Sequence, residues 1–391
     1  GMIEMSLKEL KRAEVLGKME SQGLTNEQVA QILGVSKRQV QRWEKRLREG
    51  GIAGLRHGNR GKPSGNRKEE EFRQRVVSRY RERYGDFGPT FASEQLAKEG
   101  LEVDHETLRR WLLEEGIWAR KKRRKPYRSR RKRRACFGEL VQFDGSPHDW
   151  FEGRRSACCL MVMVDDATGI TYARFSEQET SAAAMQLLWG WVEQYGIPMS
   201  LYCDLKNGYK TLREPTLEEQ LAGKEPKTAF ERACDKLGVQ IVSAYSPQAK
   251  GRVERRNGIL QDRLVKELRL AGICTIEEAN RYLWETFLPQ FNERFAVEAE
   301  DSQDVHVRCT KETKLKEIFC FEANRVVQND YTIYYERQVL QIKNDKGFLP
   351  RPKQKVLVRK YLDETISLFH ENRELKYERV TPARRTKQRA G

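Results

Sequence analysis

Histidine and closely paired cysteine are scarce in these 391 residues. The five histidines are scattered, and none of the eight cysteines forms a C-x-x-C pair. A structural zinc site and a disulfide framework are therefore unexpected, and reduced thiols are the plain reading. No run approaches about 18 consecutive apolar residues, so no transmembrane helix is expected. The opening GMIEMSLKEL has no basic stretch leading into an apolar one, so no secretory leader is expected either. No Ser/His/Asp or Cys/His constellation offers a protein nucleophile.

What the chain does have is unevenly spread charge. Lys and Arg number 74 against 57 Asp and Glu, a formal net charge of +17. Residues 1–134 carry 35 basic and 19 acidic groups, residues 135–350 carry 27 and 33, and residues 351–391 carry 12 and 5. Basic ends around an acidic centre imply that the ends hold a polyanion while the centre uses carboxylates.

Residues 24–48, LTNEQVAQILGVSKRQVQRWEKRLR, read as two helices joined by a tight turn. Thr25 or Asn26 caps the first, with Val29, Ile32 and Leu33 as its apolar face. Ala30, Gly34 and Val40 fall where a helix-turn-helix needs a small residue, a turn glycine and a β-branched lock. Ser36 caps the second helix, whose inner face is Val40, Trp43 and Leu47. Lys37, Arg38, Gln41, Arg42 and Lys45 stay outside, as donors for phosphates and base edges in a major groove. A plain helical hairpin with a solvated basic face is the rival reading.

This first domain is expected over 1–49, followed by a Gly-rich basic linker over 50–68. A second helix-turn-helix-like domain is expected over 69–118. Its interior is Leu96, Val103, Leu108, Trp111 and Leu112, its cap is Asp104, and Arg109 and Arg110 are weaker candidates for contacting DNA, with support of the first unit as the rival reading. Residues 120–134 contain twelve basic residues in fifteen. A linker over 119–136 is expected to track phosphates through Arg123, Arg124, Arg130 and Arg131.

The period then changes. Strands are expected at 139–145, 156–166 and 170–175, a helix at 180–196 and a strand at 199–204. A polar insert over 205–226, a helix at 227–237, a strand at 239–245 and a charged helix at 251–270 follow. That order describes a ribonuclease-H-like α/β core over 137–300. Short β segments over 305–375 suggest a small β-barrel, and 376–391 a basic tail. The fold class is thus multidomain α+β.

Asp144 ends the first core strand, Asp204 ends the fourth, and Glu254 opens the last helix. First and fourth strands are neighbours in such a sheet, so the three acids converge. Converging carboxylates require a compensating cation, and oxygen ligands suit two Mg²⁺ or Mn²⁺ ions rather than zinc. Such a pair clamps the attacking and leaving oxygens of an in-line phosphoryl transfer. Asp149, Glu152, Asp165 and Asp166 also lie near strand ends. Turn chemistry explains the Asp165–Asp166 pair, and substitution there is expected to be mild. His148 reads as a solvated loop histidine.

The segments VQFDGSPHDWFEG, LMVMVDDATG, LYCDLKNGY and YSPQAKGRVERRNGILQDRL resemble the DDE transposases and retroviral-type integrases. The resemblance is greatest to bacterial insertion-sequence transposases of the ISNCY type and extends over nearly the whole chain. It implies Asp144, Asp204 and Glu254 as catalytic, metal-holding residues. It also implies Arg252, Arg255, Asn257 and Gln261 as DNA contacts, or, for Asn257 and Gln261, residues that orient the Glu. The second Asp and the Glu are 50 residues apart, against about 35 in many relatives, and the insert 205–226 takes up the excess. The implied function is a transposase that binds the terminal inverted repeats of its element and cleaves and joins DNA strands. Its partners would be double-stranded element ends and target DNA, with at least a dimer on paired ends. Its place would be the bacterial cytoplasm, on the nucleoid, with no membrane. A phage or retroelement integrase of the same chemistry, and a catalytically idle DNA-binding repressor, are the alternatives.

Overall fold

The computed structural model describes residues 5–58, 67–119, 131–203, 209–211, 213–221, 223, 225–243, 251–310, 313–344 and 347–380. The chain divides into two compact units, Gly1–Arg120 and Lys121–Gly391.

The first unit opens with α1 (Leu7–Gln22), α2 (Asn26–Leu33) and α3 (Lys37–Gly50). Side chains close their amino ends. Ser6 and Glu9 form a capping box on α1, Thr25 and Gln28 another on α2, and Ser36 accepts from the Gln39 amide on α3. Gly34 ends α2 at φ +65°, a left-handed turn that Gly adopts without the strain of a Cβ. Val15, Leu16, Val29, Ala30, Val40, Trp43 and Leu55 form the core. Ile32, expected on the apolar face, is 51% exposed, because only Val29 and Leu33 of that stripe turn toward α1 and α3. The linker expected from residue 50 begins later. Residues 51–55 form a 3₁₀ turn that returns Leu55 to the core, and the His57 amide donates to Glu9 at 2.8 Å.

Three more helices follow: α4 (Glu70–Arg83), α5 (Pro89–Lys98) and α6 (His105–Glu114). Tyr80, Phe87, Phe91, Leu96, Leu108 and Leu112 are buried among them, while Trp111 lies half-buried against Phe72. Asp104 caps α6 by accepting from the amides of Glu106 and Thr107.

In the second unit, β1 (Cys136–Phe137) precedes β2 (Val141–His148), β3 (Cys158–Asp165) and β4 (Thr171–Ser176). Next come α7 (Ser181–Tyr195), β5 (Ser200–Cys203), α8 (Leu217–Leu221), α9 (Ala229–Leu237), β6 (Gln240–Ser243) and α10 (Gly251–Leu270). One five-stranded sheet has the order β4-β3-β2-β5-β6. Its first three strands are antiparallel, and β5 and β6 run parallel to β2. This is the ribonuclease-H-like topology. Every residue of β3 is buried, as a central strand covered on both faces requires. Phe143 of β2 packs toward Phe230 of α9 at 5.6 Å, whereas Asp144 faces α10.

The outer edge of β4 is closed by side chains. A continuous helical segment runs through α11 (Ile276–Tyr282), a π-helical turn at Leu283–Phe287, and α12 (Leu288–Phe295). Asn280 donates to the Phe175 carbonyl at 3.2 Å and accepts from its amide at 2.7 Å. Asn292 does the same with Thr171, at 2.8 Å in both directions. Between them the Trp284 indole donates to the Ala173 carbonyl at 2.9 Å. These amides stand in for a sixth strand and remove an exposed edge. In a regular α-helix Asn280 and Asn292, twelve residues apart, would point about 120° from each other. The π turn absorbs one residue and brings them to within about 20°. Asn280→Ala strands two buried backbone groups at about 1–3 kcal/mol each. The urea midpoint of that variant is expected to report a loss of at least about 2 kcal/mol at unchanged slope. A loss under about 1 kcal/mol would mean that water replaces the amide.

The chain then forms β7 (Asp301–Asp304), which pairs with β1, and α13 (Leu315–Ile318). The last strands are β8 (Cys320–Val326), β9 (Thr332–Tyr335), β10 (Gln338–Ile342), β11 (Lys355–Tyr361), β12 (Ile366–His370), β13 (Arg373–Leu375) and β14 (Tyr377–Val380). The small barrel expected here is not closed among the described residues. The strands form two antiparallel sheets, β14-β10-β9 and β13-β12-β11-β8. Both contribute to one core containing Ile333, Leu340, Val358 and Leu368. Alternation turns one face of each sheet inward, which buries a core without joining the edges. No helix among the described residues is long and apolar enough to cross a membrane.

Candidate active site

A ladder of side chains joins β2 to α10. Gln142 accepts from the Val253 amide at 3.1 Å, Asn257 donates to Asp144 Oδ2 at 3.1 Å, and Gln261 donates to Ser146 Oγ at 3.0 Å. The strand positions are 142, 144 and 146, and the helix positions are 253, 257 and 261. Two residues of strand rise about 6.6 Å and four of helix about 6 Å, so the ladder stays in step. Val253, Asn257, Leu260 and Leu264 bury the inner face of α10.

Glu254 opens α10 in its first turn and is exposed. It sits about 60° around the helix from Asn257, at the edge of the face that touches Asp144. Asp144 is half-buried. The structure thus brings Asp144, Asn257 and Gln261 onto one β2–α10 seam, with Glu254 at its rim. Asp204 lies outside the described residues. It follows Cys203, the last residue of β5, and β5 pairs with β2 in the register Gln142–Tyr202. Among the described residues no three His, Cys, Asp or Glu side chains gather as a metal cluster. The Tyr209 ring packs on Phe143 at 4.9 Å and Phe230 at 5.8 Å. Its hydroxyl donates to Glu179 at 2.5 Å, and burial together with that carboxylate pushes its pKa up. Gln142, Ser146, Glu179 and Tyr209 escaped the sequence reading, although period two from Asp144 marks the first two.

The other acids have local duties. Asp149 accepts from the Gly153 amide in a turn, and Glu152 pairs with Arg269 at 3.0 Å. Asp165 accepts from Thr168 and from the Gly138 amide, and burial raises its pKa. Asp166 goes beyond the turn chemistry expected of it. It is fully buried and binds Arg131, Arg252 and Gln142, so a mild effect of substitution no longer follows. His148 is exposed at the end of β2, near the Trp150 ring.

The basic residues divide in the same way. Arg38, Gln41 and Arg42 are exposed on α3. Lys37 pairs with Glu27, and Lys45 with Glu49 at 3.8 Å, exposed contacts of small worth. On α6, Arg109 is bound to Glu106, while Arg110 is exposed. Arg131 and Arg252 are engaged by Asp166, because a buried carboxylate draws the nearest guanidinium groups. Arg255 is exposed on α10. Its neighbour Arg256 is buried, donates to the Gly169 carbonyl at 2.7 Å and has its pKa lowered to about 10 by burial. Arg123, Arg124 and Arg130 lie outside the described residues.

The fold combines an amino-terminal helix-turn-helix with a ribonuclease-H-like core, the architecture of a DNA-handling protein. Residues 12–74 match the winged helix-turn-helix family. The protein y4bF of Sinorhizobium fredii, which is named as a transposase, is 39% identical over 88% of this chain and 75% of its own length. The transposase for insertion sequence IS1202 of Streptococcus pneumoniae is 29% identical over 86% of this chain and 78% of its own. A more distant likeness is the HTLV-2 integrase catalytic core domain, solved with magnesium. It shares 22% identity over 39% of this chain and 88% of its own, with a TM-score of 0.29. The chain belongs to the transposase family.

Proposed function

We infer that the protein binds the terminal inverted repeats of its own element and catalyses metal-dependent strand cleavage and strand transfer there. Asp144, Asp204 and Glu254 would hold two Mg²⁺ or Mn²⁺ ions. The observation that carries this reading is the Asn257–Asp144 contact. It fastens the strand bearing one acid to the helix bearing another, beside the strand that runs into the third. Carboxylate oxygens fit a hard divalent cation. The buried Asn257 Oδ1, without a hydrogen-bond partner among the described residues, adds an oxygen acceptor beside them. A bound ion pair would supply charge to the attacking and leaving oxygens of an in-line transfer. The chain's own residues would do the rest. Arg38, Gln41 and Arg42 read the element end, and Arg255 grips phosphate beside the acids. Asn257 and Gln261 hold α10 in step with β2. Two ends must be joined, so at least a dimer would act, in the bacterial cytoplasm on double-stranded DNA.

The direct test is incubation with DNA flanking the protein's own gene in Mg²⁺ or EDTA, scoring cleavage at nucleotide resolution. Metal-dependent cuts at the element ends support the reading, and binding without cutting favours a repressor. The basic run is tested separately. Replacing Arg123, Arg124 and Arg130 with Gln is expected to flatten the log–log salt dependence of binding by up to about 0.9 per lost contact. An unchanged slope would take these residues off the phosphates.

A further inference from the structure

Asp166 joins segments that the chemistry needs to keep together. Its Oδ1 accepts from Gln142 Nε2 at 2.7 Å, from Arg252 Nε at 2.8 Å and from Arg131. Its Oδ2 accepts from the Arg134 amide at 2.9 Å, and Arg133 donates to the carbonyls of Asp166 and Ala167. Gln142 stands two residues before Asp144, and Arg252 two residues before Glu254. Arg131 and Arg134 end the basic run. Arg252 also donates to the Arg131 carbonyl at 3.2 Å, so run and helix meet directly. Arg131 and Arg252 share the Asp166 carboxylate, and Arg133 and Arg256 lie beside the same turn on backbone carbonyls. Removing its charge would leave them repelling one another across the start of α10.

We propose that Asp166 is a positioning residue, a buried carboxylate that fastens the end of the basic run to the first turn of α10. It thereby sets where Glu254 stands relative to Asp144. DNA held by the run then favours the same arrangement, so gripping the element end and completing the acid cluster are coupled. Such coupling is reciprocal, because the site then binds metal more tightly when DNA is held. The inference rests on the reading of the acids given above.

The test uses the full chain and Mn²⁺, with free ion counted by electron paramagnetic resonance. Groups that orient metal ligands typically change affinity by about 10–100-fold. Asp166→Asn is expected to raise half-saturating Mn²⁺ by about that factor while melting in one cooperative transition. Arg131→Gln, a change at a side chain 37% exposed, is expected to move it the same way by a smaller factor. A duplex carrying the element end is expected to lower half-saturation in the wild type but not in Asp166→Asn. Half-saturation unchanged in both variants, or lowered equally by DNA with and without Asp166, overturns this inference alone. If Asp166→Asn does not fold, Arg131→Gln decides, and an unchanged value there overturns it. If Asp144→Asn binds Mn²⁺ as the wild type does, the reading of the acids falls, and this inference with it.

Discussion

Asp144→Asn lowers cleavage of the element end in Mg²⁺ by about a thousandfold or more, while binding of that end stays within about threefold. The size follows from what the carboxylate would do. Losing one charge from a set of oxygen ligands weakens the metals, and with them both nucleophile activation and support of the leaving oxygen. A thousandfold corresponds to about 4 kcal/mol of barrier. The fold should tolerate the change, because an Asn oxygen can still accept from Asn257 as Asp144 Oδ2 does at 3.1 Å. End binding should persist because the reading helix α3 belongs to the separate unit Gly1–Arg120. Glu254→Gln is expected to behave alike. Asp149→Asn is the fitting control, since its Oδ1 accepts from the Gly153 amide and an Asn oxygen can do the same. Near-normal strand transfer by Asp144→Asn in Mg²⁺ would sink the assignment.

Arg38→Ala combined with Arg42→Ala is expected to cut the preference for the element end over random DNA by about two orders of magnitude. Each good base contact is worth about 1–3 kcal/mol. The helix that presents them is firmly built. Val40 and Trp43 are buried beneath it, and Arg12 lies over the Trp43 ring at 4.3 Å. Their exposed side chains are therefore available to DNA without unpacking the domain. Competition binding with element-end and scrambled duplexes at fixed salt measures the ratio. Equal losses on both duplexes would assign these arginines to phosphate contact instead.

The elements that carry the candidate acids and the basic helix face were legible in the sequence because they rest on short, local signals. Thr25, Ser36 and Asp104 close helices through amides two or three residues away. Val40 and Trp43 lie inside at helical spacing, and GRVERRNGILQDRLVKELRL forms one helix from Gly251 to Leu270. Ile32 shows the limit. Periodicity gives the width of an apolar stripe, and the neighbouring helix decides which edge of it is covered.

By itself, then, the sequence determined the order of the core elements from β2 to α10, the helix caps and the basic faces, all set by forces acting within a few residues, and it nominated three acids. Only the tertiary structure decided which groups meet across long separations. Arg252 reaches Asp166 over 86 residues, and Asn292 reaches Thr171 over 121. It turned an apparent turn residue, Asp166, into the carboxylate that holds two arginines. It drew Leu55 out of a linker into a core, and it placed a π turn where the Asn280–Asn292 spacing needed one residue absorbed. The physical reason is that a buried polar group must find its partner in the folded chain, wherever that partner lies in sequence. No local period encodes that choice.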